Sequence, residues 1–584
     1  MALSARVRQL LERVLAAGGR VLPRPDPVHK LPSIRQGTSR RGRWLATLRG
    51  WVQLASFLLF LVLLLQTEVA TFQRGSNLAG DLPYPTSLYL QADPLLGVAT
   101  SLATGSLYDG LIWGLAVLLL TLLLGRAFCG WLCPFGAVQH AVEWLGRGWR
   151  RATKVIAGNR YAPGQRLKYY LLAALLVISV SGSMLVGLFD PISLLTRSLS
   201  LSILPALDEA ARAGIRLLQQ TELGPLQTLA AAGELVRPHL LPARPTHAHD
   251  AWVFGLIFLG LVGVVLWLPR FWCRRLCPLG ALLGVCSRPA LLGLAKDESR
   301  CTSCNRCLVA CQGACDPQGG APWHAAECHL CFNCEAACPE AALAFTFLPS
   351  RATTRLDADL TRRALVGSLA AGAVTLPLLR SSAGFAGPGG VAADPSLIRP
   401  PGALPEGDFL ARCVKCGECM KVCPTHALHP TLLQAGLEGI WTPRLVPRIG
   451  YCEPSCTLCG EVCPTGAIRH LTEAEKTGHD GQPPVRLGTA FYDLGRCLPW
   501  AMHTPCIVCE EWCPTTPKAI WLEEVTVDDR DGKPIRLQRP HVDPRRCTGC
   551  GACEFACPIK DQAAIRVTSA GEVRHPHNRF LLSG

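Results

Sequence analysis

The stretches CVKCGECMKVCP (413–424) and CTGCGACEFACP (547–558) decide what kind of molecule this chain makes. Both space their cysteines as C-x2-C-x2-C-x3-C-P. Three thiolates this close wrap one face of a [4Fe–4S] cube, and the fourth cysteine leaves on a helix toward a second cube. Working outward, the same rhythm recurs in CTSCNRCLVAC (301–311), CHLCFNCEAACP (328–339), CEPSCTLCGEVCP (452–464) and CLPWAMHTPCIVCEEWCP (497–514). Twenty-four of the 30 cysteines thus fall into six quartets. They are Cys301, Cys304, Cys307 and Cys311; Cys328, Cys331, Cys334 and Cys338; Cys413, Cys416, Cys419 and Cys423. The other three are Cys452, Cys456, Cys459 and Cys463; Cys497, Cys506, Cys509 and Cys513; Cys547, Cys550, Cys553 and Cys557. Six [4Fe–4S] clusters are expected, with these cysteines as iron ligands.

The rival readings are weaker. Zinc prefers two C-x2-C pairs and a longer spacer, and disulfides among thiols so crowded would compete for incorrect pairings. The fourth group also reads C-x3-C-x2-C, the spacing of radical enzymes that use S-adenosylmethionine. Such an enzyme must leave one iron open, whereas Cys463-Pro464 offers a fourth ligand. Exchange of fourth ligands predicts Cys301, Cys304, Cys307 and Cys338 around one cube, and Cys328, Cys331, Cys334 and Cys311 around the next. Cys315 could replace Cys311, although burial is the commoner fate of such an extra cysteine. In the later block, groups three and six are expected to pair, with four and five nested inside.

Four more cysteines form two C-x3-C-P pairs, in GRAFCGWLCPFG (125–136; Cys129, Cys133) and FWCRRLCPLG (271–280; Cys273, Cys277). Four-residue spacing puts each pair on one helix face. They are candidate redox pairs or a metal-holding site, against the plainer reading of helix-end packing in an internal duplication. Cys286 fits no pattern and is expected to be buried.

The surrounding composition is that of a membrane protein. The 584 residues are 49% hydrophobic and only 17% charged, against about a quarter charged in soluble domains. Apolar runs at 51–69, 111–124, 169–188 and 251–268 read as four spans. Eleven Lys or Arg precede the first run, one separates the first two, and eight lie between Arg126 and Lys168. The positive-inside rule places the N-terminus, the 126–168 loop and the region after Arg270 in the cytoplasm. The net charge of +15 therefore reads as topology, and no nucleic-acid partner is expected. Residues 5–16 are patterned as a cationic amphipathic helix for the membrane surface or a neighbouring domain.

The C-x3-C-P spans, the phrase FDPISLLTR (189–197) and the two-cluster block resemble the NapH-type membrane quinol-dehydrogenase ferredoxin. After Thr361, the twin arginines, RPPGAL (399–404), FLARCVKCGECMKVCP (409–424) and CGEVCPTGAI (459–468) resemble the four-cluster NapG/MauM-type ferredoxin. The resemblance covers nearly the whole chain and implies a fusion of two electron-transfer subunits. It departs from the pattern at Gln312, where proline would follow Cys311, and at the eight-residue gap after Cys497.

The fold expected is an α-helical membrane bundle of four spans, with a candidate fifth, carrying α+β bacterial-ferredoxin-like [4Fe–4S] domains. The divisions are 1–50, a basic segment; 51–295, the membrane domain; 296–350, a two-cluster domain; 351–395, a twin-arginine-like segment and linker; and 396–584, a four-cluster domain. Arg362-Arg363 ahead of an apolar run approximates a twin-arginine export motif. It would make 364–379 the fifth span and place the last domain in the periplasm, with 296–350 cytoplasmic; the alternative leaves both inside. Cleavage near Ala386 is a further option.

The expected function is electron transfer from quinol, in the membrane quinone pool, to a periplasmic or membrane reductase or cytochrome. The alternative is a maturation or assembly factor for a respiratory metalloenzyme. Lys168, Asp190 and His140 are weak candidates for quinone contact, and the histidines of PTHAHD (245–250) for proton release.

Overall fold

In a computed structural model of the chain, the described residues are 37–74, 87–108, 110–146, 152–221, 224–240, 251–318, 323–347, 360–381, 394–478, 483–528 and 532–574. The helix expected at 5–16, the PTHAHD loop and the cleavage point near Ala386 lie outside them.

The helices that position the sites are α1 (Arg40–Arg74), α2 (Leu111–Leu124), α3 (Pro134–Leu145), α4 (Leu167–Val180), α5 (Pro191–Ser198), α6 (Trp252–Val264), α7 (Pro278–Cys286) and α8 (Arg362–Ser381). Their ends follow from local chemistry. Gly125 (φ +93) stops α2, and Gly182 (φ +83) turns the chain just after α4. α3, α5 and α7 begin with proline, as does the helix Pro94–Thr104, and the residue before each proline is extended. A proline forces that conformation on its predecessor and suits the first helical position. The predecessors alternate Asp93, Cys133, Asp190, Cys277, and every one caps its helix with its side chain. An Asp-Pro helix, an apolar helix and a C-x3-C-P segment therefore occur twice in order.

Two expectations need correction. The cysteines of a pair do not share one helix: Cys129 lies in Ala127–Trp131 and Cys133 caps α3, while Cys273 lies in Trp272–Leu276 and Cys277 caps α7. The proline after the second cysteine breaks the helix between them. Nor are there four spanning-length helices among the described residues. Two, Arg40–Gln66 and Arg362–Arg380, are long and apolar enough to cross a membrane. With 14, 14 and 13 residues, α2, α4 and α6 reach about 20 Å at 1.5 Å per residue, short of a hydrocarbon core of about 30 Å.

The cysteine-rich blocks are short helices held by two-stranded antiparallel sheets. The first block pairs β1 (Leu292–Lys296) with β2 (Leu343–Phe347). The second pairs β3 (Leu428–Pro430) with β4 (Pro443–Leu445) and β5 (Thr489–Tyr492) with β8 (Ile565–Thr568). Its hairpin of β6 (Ile520–Asp528) and β7 (Pro534–Val542) carries Trp521 stacked on His541.

The blocks sit at opposite ends of the helix bundle. At the first block, a Cβ on Gly42 of α1 would lie 2.9 Å from the Ala336 nitrogen. There Leu291 N–H donates to Leu123 O of α2 (2.8 Å), and Trp131 Nε1 donates to Leu330 O (2.9 Å). At the second block, Lys421 donates to Leu64 O of α1, Tyr108, just before α2, donates to Pro464 O, and Met184 N–H, just after α4, donates to Leu410 O (3.1 Å). Phe254, near the start of α6, packs on Trp441, whereas Arg270, beyond its end, reaches His329. α1, α2, α4 and α6 each run from one block to the other, and α8 lies along α4.

Candidate metal centres

The C-x2-C-x2-C loops share one backbone device. The residues on either side of the second cysteine take positive φ: Ser303 and Asn305, Leu330 and Phe332, Lys415 and Gly417, Gly549 and Gly551. Alternation between right- and left-handed residues turns successive N–H groups inward as a nest for an anionic centre. A residue other than glycine pays roughly 1–2 kcal/mol to hold it. Groups four and five, with longer first gaps, avoid the strain; Thr457 and Ile507 sit at φ −117 and −124.

The loops gather the thiols into rings. Cys301, Cys304, Cys307 and Cys338 line one cavity. Cys413, Cys416, Cys419 and Cys463 line another, and Cys513, Cys547, Cys550 and Cys553 a third. Cys423 neighbours Cys456 and Cys459, and Cys557 neighbours Cys497. The fourth cysteines are exchanged as expected, but between groups three and four and between five and six. The expected pairing of three with six is thereby corrected: sequence neighbours close the shorter loops, at lower entropic cost. Backbone N–H groups of Ala342, Ile468 and Ala564 donate to Cys338, Cys463 and Cys557 at 3.3, 3.4 and 3.4 Å.

Around Cys328, Cys331 and Cys334, both Cys311 and Cys315 come close. Their sulfurs are 3.6 Å apart; Cys315 neighbours Cys328, and Cys311 neighbours Cys331 and Cys334. Gln312, in place of proline, receives Arg49 on its side chain (3.0 Å) and Arg274 on its carbonyl (2.9 Å), fastening the loop to the bundle.

Burial and the surrounding thiols push Cys307 up to about 12, and Cys413 and Cys497 up to about 11. Thiols crowded this way ionise only against a cationic core, which inverts the local balance. Among the described residues no three His, Cys, Asp or Glu side chains converge on a single ion. Rings of thiols about a cavity fit an inorganic cube better than a lone metal.

The other singled-out residues divide. Cys129, Cys133, Cys273 and Cys277 come together inside the bundle, and Cys286 is half-buried at the end of α7. Lys168 is buried in an ion pair with Glu327, which also accepts from Tyr169 (2.8 Å) and lies 3.6 Å from Arg126. His140 contacts Gln312 (2.9 Å) and Arg270 (3.4 Å). Both residues thus serve the first block's attachment. Asp190 instead is fully buried beside Asp93, itself fully buried. Burial and then the Asp190 carboxylate push Asp93 up, and burial also raises Asp190. The sequence reading missed Asp93, Glu327 and Arg197. The recurring Asp-Pro dipeptide was the signal that could have found Asp93.

Family models described as "4Fe-4S binding domain" match residues 106–152 together with 250–294, residues 410–429 and residues 538–559. The methylamine utilization ferredoxin-type protein MauM of Methylorubrum extorquens is 38% identical over 201 residues, 32% of this chain and 82% of that protein. The ferredoxin-type protein NapG of Escherichia coli is 35% identical over 238 residues, 40% of this chain and 93% of the relative. The regulatory protein NosR of Pseudomonas aeruginosa is 28% identical over 246 residues, 42% of this chain and 26% of its own length. No solved structure matches the chain.

Proposed function

Through its C-terminal part the chain belongs to the NapG/MauM family of ferredoxin-type iron–sulfur electron-transfer proteins, and from that premise we propose that the whole chain is a membrane-embedded conduit drawing electrons from quinol. The observation that carries this reading is the placement of two cysteine-rich blocks at opposite ends of one apolar helix bundle. The N-terminal half, on the resemblance of its motifs, is the NapH-like partner fused to it. In this reading the bundle crosses the inner membrane, with the shorter helices completed by the segments that flank them. The first block is then cytoplasmic and the second periplasmic, and α8 with Arg362-Arg363 at its start is the fifth span that carries the chain out.

Six quartets would hold [4Fe–4S] clusters, which when bound supply one-electron transfer over a wide range of potentials. The protein supplies spacing, burial and proton handling. Asp93 and Asp190 lie side by side at the second block's end of the bundle, and Asp190 and Cys416 are both electrostatic neighbours of Arg197. A quinol bound there loses two electrons and two protons. The carboxyl pair can take the protons one at a time and release them outward, while the electrons leave singly through the Cys413–Cys463 ring.

The test is anaerobic purification of the full chain into lipid nanodiscs and titration with a reduced quinol. We expect quinol to bleach the cluster absorbance, and Asp190→Asn to slow this reduction by a factor of ten or more while dithionite still reduces the protein fully. Clusters that respond to dithionite and never to quinol would end the quinol reading; if a client oxidoreductase then lost its metal in a deletion strain, maturation would replace it.

A further inference from the structure

The two C-x3-C-P pairs belong to none of the six quartets, and although Trp131 ties the first of them to Leu330 O of the first block, they form a site of their own. Cys133 has Cys273 and Cys129 as electrostatic neighbours, and Cys277 has Cys273, Cys129 and Cys133. Cys133, Cys273 and Cys277 are buried. The second cysteine of each pair caps a helix of the bundle: Gly136 N–H donates to Cys133 Sγ at 3.4 Å, and Gly280 N–H to Cys277 Sγ at 3.2 Å. The N-termini of α3 and α7, of 12 and 9 residues, thus both face the thiols. Such ends favour negative charge. Arg126 Nη2 is 3.9 Å from Cys129 Sγ. It needs the space left at Gly280, where a Cβ would come within 2.7 Å of it.

The position is as telling as the donors. Leu132 O, next to Cys133, accepts from Ser56 of α1 at 2.7 Å. At 1.5 Å per residue, Ser56 lies roughly 20 Å along α1 from Gly42, at the first block, and roughly 12 Å from Leu64, at the second. The thiols therefore occupy the gap between the two blocks. The family model that names a 4Fe–4S domain at 106–152 and 250–294 includes both pairs and none of the 24 quartet cysteines.

We infer that Cys129, Cys133, Cys273 and Cys277 together bind one further iron–sulfur centre, which carries electrons across the middle of the bundle between the two blocks. The inference deepens the conduit reading and rests on it. Four thiolates from two half-repeats complete the ligand set; the two helix ends and Arg126 offset the negative charge of the assembled centre. In each passage one electron enters from a reduced neighbouring cluster or from quinol and the same electron leaves to the next cluster. No bond forms or breaks, and the centre returns to its oxidised state.

The test compares full-length wild type, C133S/C277S and, as a control on the same helix, C286S, all purified anaerobically. Iron and sulfide are counted, and reduction is followed by EPR. The double variant is expected to lose about two or about four irons, according to whether the centre is [2Fe–2S] or [4Fe–4S]; C286S loses none. Wild type alone should take up one more electron than its quartets account for, a readout that survives if the double variant fails to fold. Iron content and electron uptake matching the six quartets alone would overturn the centre and leave the ferredoxin clusters standing. Mass spectrometry finding Cys129, Cys133, Cys273 and Cys277 as disulfides in the anaerobic protein would also overturn it. Iron confined to these four thiols would uphold the centre and overturn the six-cluster reading instead.

Discussion

The two cysteine-rich blocks meet the bundle by different chemistry. The first is tied by ions with no access to water: Glu327, 3% exposed, takes Lys168, Tyr169 and Gln165, with Arg126 beside it. The second meets the bundle through cations on neutral groups. Arg197 donates to Lys415 O at 2.9 Å and lies over the Trp441 ring at 4.7 Å, and Lys421 reaches Leu64 O. Its ion pair at the junction, Arg380–Glu438, is half open on the arginine side. The second block keeps its closed ion cluster to itself, with Glu406 between Arg399 and Arg574. The first block is thus built into the bundle, since parting it would strand a buried carboxylate and its cations. The second is docked on, and its charges can return to water one by one.

The sharpest way to break this contrast is Glu327→Ala. Removing one member of a buried ion cluster costs about 3–5 kcal/mol, so the first block should lose its cluster absorbance at a markedly lower denaturant concentration, with the second block unchanged. An unaltered midpoint would mean that the ions do not hold the junction.

Next in size is Glu406→Gln, which probes the ion cluster that the second block keeps inside. Burial alone would raise the Glu406 carboxyl, but Arg399 and then Arg574 hold it at about 2, against 4.5 for a free glutamate. A depressed carboxylate stabilises the fold fully above the unfolded value and loses that contribution as pH falls through the folded one. The variant should be about 3 kcal/mol less stable at neutral pH. The gap in unfolding midpoints should close as pH drops from 4.5 toward 2; a gap independent of pH would show that packing and not charge is at work.

The smallest effect is expected at the docked junction. Across the junction Arg197→Met removes the hydrogen bond to Lys415 O and the contact over the Trp441 ring, about 1–3 kcal/mol together; inside the bundle it also removes the bond to Leu188 O and the contact over Phe254. Hydrogen exchange should quicken at 410–417 and around Trp441 while the first block stays protected. Equal quickening at both ends would erase the distinction.

Much of this arrangement was legible in the cysteine spacing. It gave the ring of Cys301, Cys304, Cys307 and Cys338, because a fourth ligand that exits on a helix must serve a neighbour. It misjudged which groups pair in the second block, since all four carry the same local signature and only loop closure ranks the partners. Hydropathy found α8 and the centre of α1 but gave the other runs more helix than the structure does, because apolar runs continue through Gly182 while helices do not. Neither Glu327 nor Arg197 stood out, since a buried ion looks in sequence like a surface one.

If the quartets hold clusters as proposed, the exchange of fourth cysteines also bears on how the molecule is made. Cys419 and its fellows stay incomplete until Cys463 has been synthesised, roughly forty residues later, and Cys509 waits similarly for Cys557. A growing polypeptide therefore cannot finish one cube before the next motif has left the ribosome. Each inserted core then acts as a cross-link closing a long loop, as metal does in domains that fold only once loaded. Iron delivery and folding become a single event for each pair of motifs, and one lost cysteine should harm the neighbouring cube as well as its own.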